Sequence, residues 1–504
     1  MDKLHFLLSN LSGPQWKMLL NYLRYFSIRK DADTQLIRLA EIIRSQKETS
    51  PSLDDCSRLL YGKMNYNAIQ KAKSRLQRKV ENLLLLDTGT EKRSDELDEL
   101  DKNVIQIRRK VTLFHIILLH KTDTKQFLNS EMEEIIRLSR KYELYSTLVE
   151  QLKYKKWMYG LRQGKKIFSE INKEIAFYQR CNDALNKAAD CYYLAVIRSV
   201  HSSKSDLATF RKFLRESISS LRSEFQATQS PLVFYYTKQL EIMLYDSEND
   251  LEAARTASLE MIRIINEHKS VFRKQRLAVA YDHLASCEIR SGNYESAAHF
   301  ALDSKKNCKR NTVNYYAAIE YEFLARFYQD DLNGSQRLSQ ELLRSVKKEM
   351  GDFLFAKYLF YQSNVLYMQQ KFKETLRLLN YKLQLSKDKQ GWDVSIRILK
   401  IQTLIELGRL DEASTQVISL LKHADRSFSG SELKPREKLI IRTLRMLNRE
   451  GFSASRIRSK IKKFAGVLNE NPAYQWEPLS SELIPFEKWL DTHYFSAKKS
   501  SVEK

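Results

Sequence analysis

Six cations and no acid fall between Lys63 and Lys79: Lys63, Lys71, Lys73, Arg75, Arg78 and Lys79. Asn65, Asn67 and Gln70 stand near the start of the same stretch. Amides and guanidiniums at the beginning of a helix suit base edges in a major groove, and cations further along suit phosphates. A second basic run covers 431–470, with eleven cations against four acids. There Ile457, Ile461, Phe464 and Leu468 form one helical stripe, which turns Arg456, Arg458, Lys462 and Lys463 outward. Such a face holds phosphates with an affinity that falls steeply with salt. Both segments also fit the wet side of ordinary amphipathic helices.

Groups suited to catalysis or metal binding are sparse. His115 and His120 do not share a helix face well, and no His-Glu-x-x-His occurs. The remaining histidines are dispersed. Cys56, Cys181, Cys191, Cys287 and Cys308 are scattered without a Cys-x-x-Cys, so they form neither a disulfide framework nor a zinc site. No Gly-x-Gly-x-x-Gly, Gly-x-Ser-x-Gly or phosphate-cradling loop is present. The reading is a chain that is not an enzyme, with no catalytic residues, no cofactor and no metal.

The elements that carry these residues are helices. The chain has 504 residues but only 13 Gly and 7 Pro, and none of those prolines lies between Pro231 and Pro435. Proline breaks a helix interior, so long proline-free spans rich in Leu, Lys, Glu, Arg, Gln and Ala favour helix. The net charge of +23 favours anionic partners such as nucleic acid or ribonucleoprotein, or a well-solvated helical surface. Unpaired cysteines suit a reducing compartment. No basic region and small-residue cleavage site frame the apolar stretch Leu4 to Leu8. The longest aliphatic run, Leu83 to Leu86, falls far short of the ~20 residues that span a bilayer. The expectation is a cytoplasmic protein with no membrane insertion.

Residues 1–87 read as a small N-terminal helical domain of helix–turn–helix type. Trp16, Leu19, Leu20, Leu23 and Phe26 form one stripe, and Ile69, Ala72, Leu76, Val80 and Leu83 another. Residues 88–101 read as a linker with an acidic cluster, or as the acidic first turn of the next helix. Helices follow in pairs over 102–430, starting with Val104 to Leu119 and Glu131 to Tyr142, with one break expected between Phe168 and Val200. Residues 431–497 read as basic helices and a cap carrying Trp476 and Trp489, and 498–504 as a disordered tail.

A weak motif recurs from about residue 235 to 425. Its clearest copy is Tyr281, Leu284, Ala285, Gly292, Asn293, Tyr294, Ala297, and a second is Leu404, Gly408, Arg409, Leu410, Ala413. Turns of the same kind fall at Asn249-Asp250 and Lys371-Phe372, with a degraded one at Leu332-Asn333-Gly334. The small residues Ala254, Ala297, Thr375 and Ala413 mark a period near 40 residues per hairpin. The motif resembles the tetratricopeptide repeat. With Phe486, Trp489 and Leu490 near the C-terminus, the layout is similar to that of an uncharacterised bacterial family of tetratricopeptide-like proteins with a small N-terminal helical domain. The resemblance implies a right-handed α-solenoid that binds a protein or peptide on its concave face. The groove positions it implies are Asp282, Ser286 and Arg290 in one unit, and Lys357, Phe360, Asn364 and Tyr367 in another. The expectation is therefore an all-α interaction scaffold. The alternative is a nucleic-acid or ribonucleoprotein binder using the basic N-terminal helix or the basic C-terminal pair.

Overall fold

The computed structural model describes residues 2–25, 30–46, 50–86, 98–120, 125–201, 207–345, 352–381, 391–427 and 434–495. Most of the expected linker, all of the expected tail, and Phe26 lie outside them. The described residues form twenty-three α-helices and one 3-10 turn, with no strand. The chain divides after Asp98 into two compact units.

The first unit holds α1 (Asp2–Ser9), α2 (Gly13–Tyr25), α3 (Lys30–Ser45), α4 (Leu53–Tyr61) and α5 (Tyr66–Leu86). Helix α3 packs against each of the other four. The α5 stripe Ile69, Ala72, Leu76, Val80 and Leu83 is buried throughout, as its spacing predicts. Leu4 and Leu8 join the same core from α1, a helix the sequence reading did not place. The Ser52 side chain caps α4, and Gly62 ends it in the left-handed region at φ 72°. Ser57 then fixes the turn, accepting from the Asn65 N–H at 2.8 Å and donating to the Lys63 carbonyl.

The second unit begins with α6 (Glu99–His120), α7 (Lys125–Lys141), α8 (Tyr145–Gln163), α9 (Lys165–His201) and α10 (Leu207–Thr228). Six hairpins follow. They are α11 (Pro231–Glu248) with α12 (Leu251–Glu267), α13 (Lys274–Arg290) with α14 (Tyr294–Asn307), α15 (Val313–Tyr328) with α16 (Leu332–Ser345), and α17 (Asp352–Met368) with α18 (Phe372–Leu379). The last two are α19 (Trp392–Glu406) with α20 (Leu410–Ser427), and α21 (Pro435–Arg449) with α22 (Ala454–Glu470). The 3-10 turn Pro472–Tyr474 and α23 (Phe486–Tyr494) close the chain. Helices pack in sequence order, as in an α-solenoid, and first helices of neighbouring hairpins also touch, α13 with α15 and α17 with α19.

One backbone device builds all six hairpins. The N–H groups of Asp250, Asn293, Asp331, Lys371, Arg409 and Phe452 donate to the carbonyls of Tyr245, Glu288, Arg326, Leu366, Leu404 and Leu447 at 2.8–3.0 Å. Each donor follows a left-handed residue: Asn249, Gly292, Asp330, Gln370, Gly408 and Gly451. This is the Schellman closure of a helix end. Four residues after the first five donors sit Ala254, Ala297, Ser335, Thr375 and Ala413, all fully buried, where the second helix crosses close to the first.

Two expectations need correction. The stretch 168–200 is not broken: α9 runs unbroken through it, carried by strong helix formers and the absence of Gly and Pro. Leu332-Asn333-Gly334 is not a turn but the first turn of α16, since the left-handed residue is Asp330 and Asp331 caps the Gly334 N–H at 2.8 Å. The expected pair α6 and α7 packs together, and among the described residues a Schellman closure also joins α7 to α8 at Glu143. The acids Glu99 and Asp101 of the expected linker stand in the first turn of α6.

The early hairpins also depart from nearest-neighbour packing. The buried Glu143 carboxylate accepts from the Tyr145 hydroxyl at 2.5 Å, the Ser270 hydroxyl at 2.8 Å, the Leu232 N–H at 3.2 Å and the Ser230 hydroxyl. Asp101 pairs with Arg273 at 2.8 Å, so the start of α6 meets the segment between α12 and α13.

Candidate functional site

The residues expected to line a groove are mostly consumed in packing. On α13, Arg290 reaches Asp246 at 2.9 Å and Asn249 at 2.5 Å, pinning the end of α13 to the end of α11. Ser286 faces the Tyr321 hydroxyl of α15. Burial pushes the Asp282 carboxyl up to about 7, against a hydrogen bond from Ser304, and its Oδ1 has no partner. Burial likewise pushes the His283 imidazole down, against the field of Asp246. These are joints between helices.

On α17 the positions expected to stand open are covered. Phe360, Asn364 and Tyr367 are buried. Phe360 meets Trp392 edge-on at 6.0 Å, Tyr367 meets Phe372 at 5.2 Å, and the Asn364 amide donates to the Phe360 carbonyl at 2.8 Å. Lys357 pairs with Glu320, to which Tyr358 also donates at 2.8 Å. The reason is compositional. Between Phe353 and Tyr367, α17 is apolar on every side, and a helix of that kind is surrounded by protein.

The expected cap does more than close the last hairpin. Trp489 is buried, and its Nε1–H donates to Glu406 of α19 at 3.1 Å. Residues 474–485 continue along the first helices, with Trp476 edge-on to Tyr328 of α15 at 5.3 Å and Ser481 bonded to Ser395 of α19 at 2.9 Å. Arg436 of α21 is buried beneath them, donating to Glu482 at 2.7 Å and Glu487 at 2.5 Å. Burial opposes the Arg436 charge, and the two carboxylates more than offset it, raising its pKa. Burial also raises the Glu482 carboxyl, against the pull of Arg436 and of the Phe486 N–H.

A different surface stands open. Helix α6 is apolar on two faces. Ile107 and Phe114 are buried in one, while Ile105, Leu113, Ile116 and Leu119 are exposed on the other. Beside it Leu118 and the α8 row Glu150, Lys153, Tyr154 and Trp157 line an open cleft of about 530 Å³. Trp157 is 60% exposed. His115 lies 3.6 Å from Glu150 at this edge, and the His120 side chain is outside the described residues. The two-faced pattern of α6 was visible in its sequence as apolar residues at too many phases for one stripe.

The cations divide by position. Lys63, Lys71 and Arg75 are exposed, Lys73 is half-buried, and none makes an ion pair among the described residues. Asn65 caps the Ala68 N–H at 3.2 Å, and Gln70 donates to the Tyr66 hydroxyl, so two of the three amides have local work. On α22, Arg456, Arg458, Lys462 and Lys463 are exposed, and Arg458 sits over the Phe495 ring at 5.6 Å.

Among the described residues no three His, Cys, Asp or Glu side chains cluster as a metal site, and no helix is long and apolar enough to cross a membrane. Comparison with protein-family models finds no match, and comparison with curated proteins finds none.

Proposed function

We propose that this chain is a non-enzymatic interaction scaffold that docks a protein or peptide on a right-handed, tetratricopeptide-like solenoid. The carrying observations are the exposed apolar side chains of α6 and the open cleft at Trp157. Contiguous apolar surface of this kind marks an interaction site, and tryptophan is among the residues that dominate interface energy. Glu150 and Lys153 supply a charged rim that sets register. The reducing, cytoplasmic setting belongs to the same proposal, supported by five free cysteines. Affinity capture from nuclease-treated extract tests it. The chain recovers a specific partner, and Trp157→Ala with Ile116→Ser loses it. An empty capture, or recovery indifferent to those substitutions, counts against the reading.

A second reading rests on the unpaired cations of α5. Lys71 and Arg75 stand one helical turn apart on its outer side, a spacing that suits a phosphate backbone. A nucleic-acid or ribonucleoprotein binder would hold random DNA or RNA at low salt with a steep log–log slope. Lys71→Glu, Lys73→Glu and Arg75→Glu together flatten that slope. No binding at low salt removes this reading.

A further inference from the structure

Residues 471–487 carry three acids, Glu477, Glu482 and Glu487, and no base, within a chain of net charge +23. They cross the first helices of four successive hairpins as one 3-10 turn and irregular chain. Trp476 leans on Tyr328 of α15. Phe360 and Asn364 of α17, Gln402 of α19 and Ile440 of α21 lie beneath. The acids meet cations on α21 and at its start: Glu477 takes Lys434 at 3.1 Å, and Glu482 and Glu487 share Arg436. Charge and aromatic content thus match a receiving surface to a short segment, as in peptide recognition.

The fit is incomplete. A cavity of about 170 Å³ remains under the segment, lined by both amide and apolar groups. Gln402 borders it, is 3% exposed, and its side chain makes no hydrogen bond among the described residues. Asn364 borders it too, and only its amide nitrogen is engaged, by its own helix. Both amides keep hydrogen-bonding capacity toward this space that an occupant of the face can take up.

We infer that the first-helix face of α15, α17, α19 and α21 is a receptor for an extended acidic–aromatic segment of a partner protein, and that residues 474–487 fill it as an intramolecular occupant which the partner displaces. The inference builds on the scaffold reading but concerns a face separate from Trp157.

The Ser395 and Ser481 hydroxyls, 2.9 Å apart, offer a reversible lock. In the full chain, Ser395→Cys with Ser481→Cys closes a disulfide across the contact on oxidation, with the parent chain treated identically as control. The probe is a labelled peptide copying residues 474–490. Self-occupancy lowers apparent affinity by the open fraction, so the reduced protein binds the probe at least about tenfold more tightly than the oxidised one. A peptide carrying Gln at the positions of Glu482 and Glu487 binds more weakly, with the protein left unaltered. Three results overturn the inference: no lock on oxidation, no probe binding by the reduced protein, or binding indifferent to the lock or to the peptide carboxylates. Each leaves the Trp157 capture experiment standing, so the two readings fail separately.

Discussion

The second unit is closed at one end and open at the other. From α15 to α23 most aromatic residues face inward, with Phe323 stacked on Tyr361 at 4.6 Å and Phe486 tilted against Trp489 at 5.1 Å, and residues 474–485 cover the first-helix face. From α6 to α9 large apolar side chains face outward: Leu119, Trp157, Tyr193 and Ile197 are all exposed. Both regions have similar chemistry and helices of the same class. What differs is whether a further element of the second unit arrives to cover the apolar surface. Aromatic content alone therefore does not tell an exposed face from a covered one, and the arrival of a late segment does.

The largest effect should separate the two regions. Trp489→Ala removes a buried ring and should cost about 3–5 kcal/mol, whereas Trp157→Ala should stay within about 0.5 kcal/mol, both read from urea denaturation. Comparable losses at the two sites would erase the distinction. Next comes the Asp282 carboxyl, whose folded pKa of about 7 lies above its ordinary value because of burial. The unfolded chain ionises first as pH rises, so stability falls between about pH 4 and 7 and is level above. Asp282→Asn removes that slope and should raise stability at pH 8 by at most about 4 kcal/mol, with the gain vanishing near pH 4. A pH-independent difference in melting temperature would refute it.

Overpacking a hairpin crossing gives a smaller loss. Ala297→Leu should cost about 1–3 kcal/mol, since that Cβ sits where two helices close on each other. Leu148, four residues after the α7–α8 closure, already holds a large side chain at the corresponding place. A tolerated leucine at 297 would mean that the crossings of the later hairpins are as loose as that one. Smallest is the turn at Gln370, a non-glycine at φ 60°. Gln370→Gly should stabilise by roughly 1 kcal/mol, with the mirror loss for Gly408→Ala. Equal and opposite shifts in melting temperature would show the two turns to be equivalent.

Much of the helical layout was legible in the chain. The absence of proline and the small residues Ala254, Ala297, Thr375 and Ala413 pointed to successive hairpins of about 40 residues. The turn at Asp330 was missed because aspartate, like asparagine, enters the left-handed region without advertising it as glycine does. The groove assignment on α17 used register alone, which cannot show that Phe360 and Asn364 are covered by a later segment. The covering segment 474–485 was illegible for a different reason. Its contacts with α15 and α19 join residues 86 or more positions apart, and no local pattern encodes such a distance.

The Glu143 carboxylate carries a consequence for how the molecule comes into being. Its hydrogen-bond donors extend to Ser270, 127 positions further along. On a ribosome, the turn bearing Glu143 emerges long before that serine exists. At first the acid has only water and Tyr145 to answer it, then Ser230 and Leu232, and the opening helices are held by a provisional join until Ser270 arrives. Synthesis order thus makes the middle of the chain the keystone for its beginning.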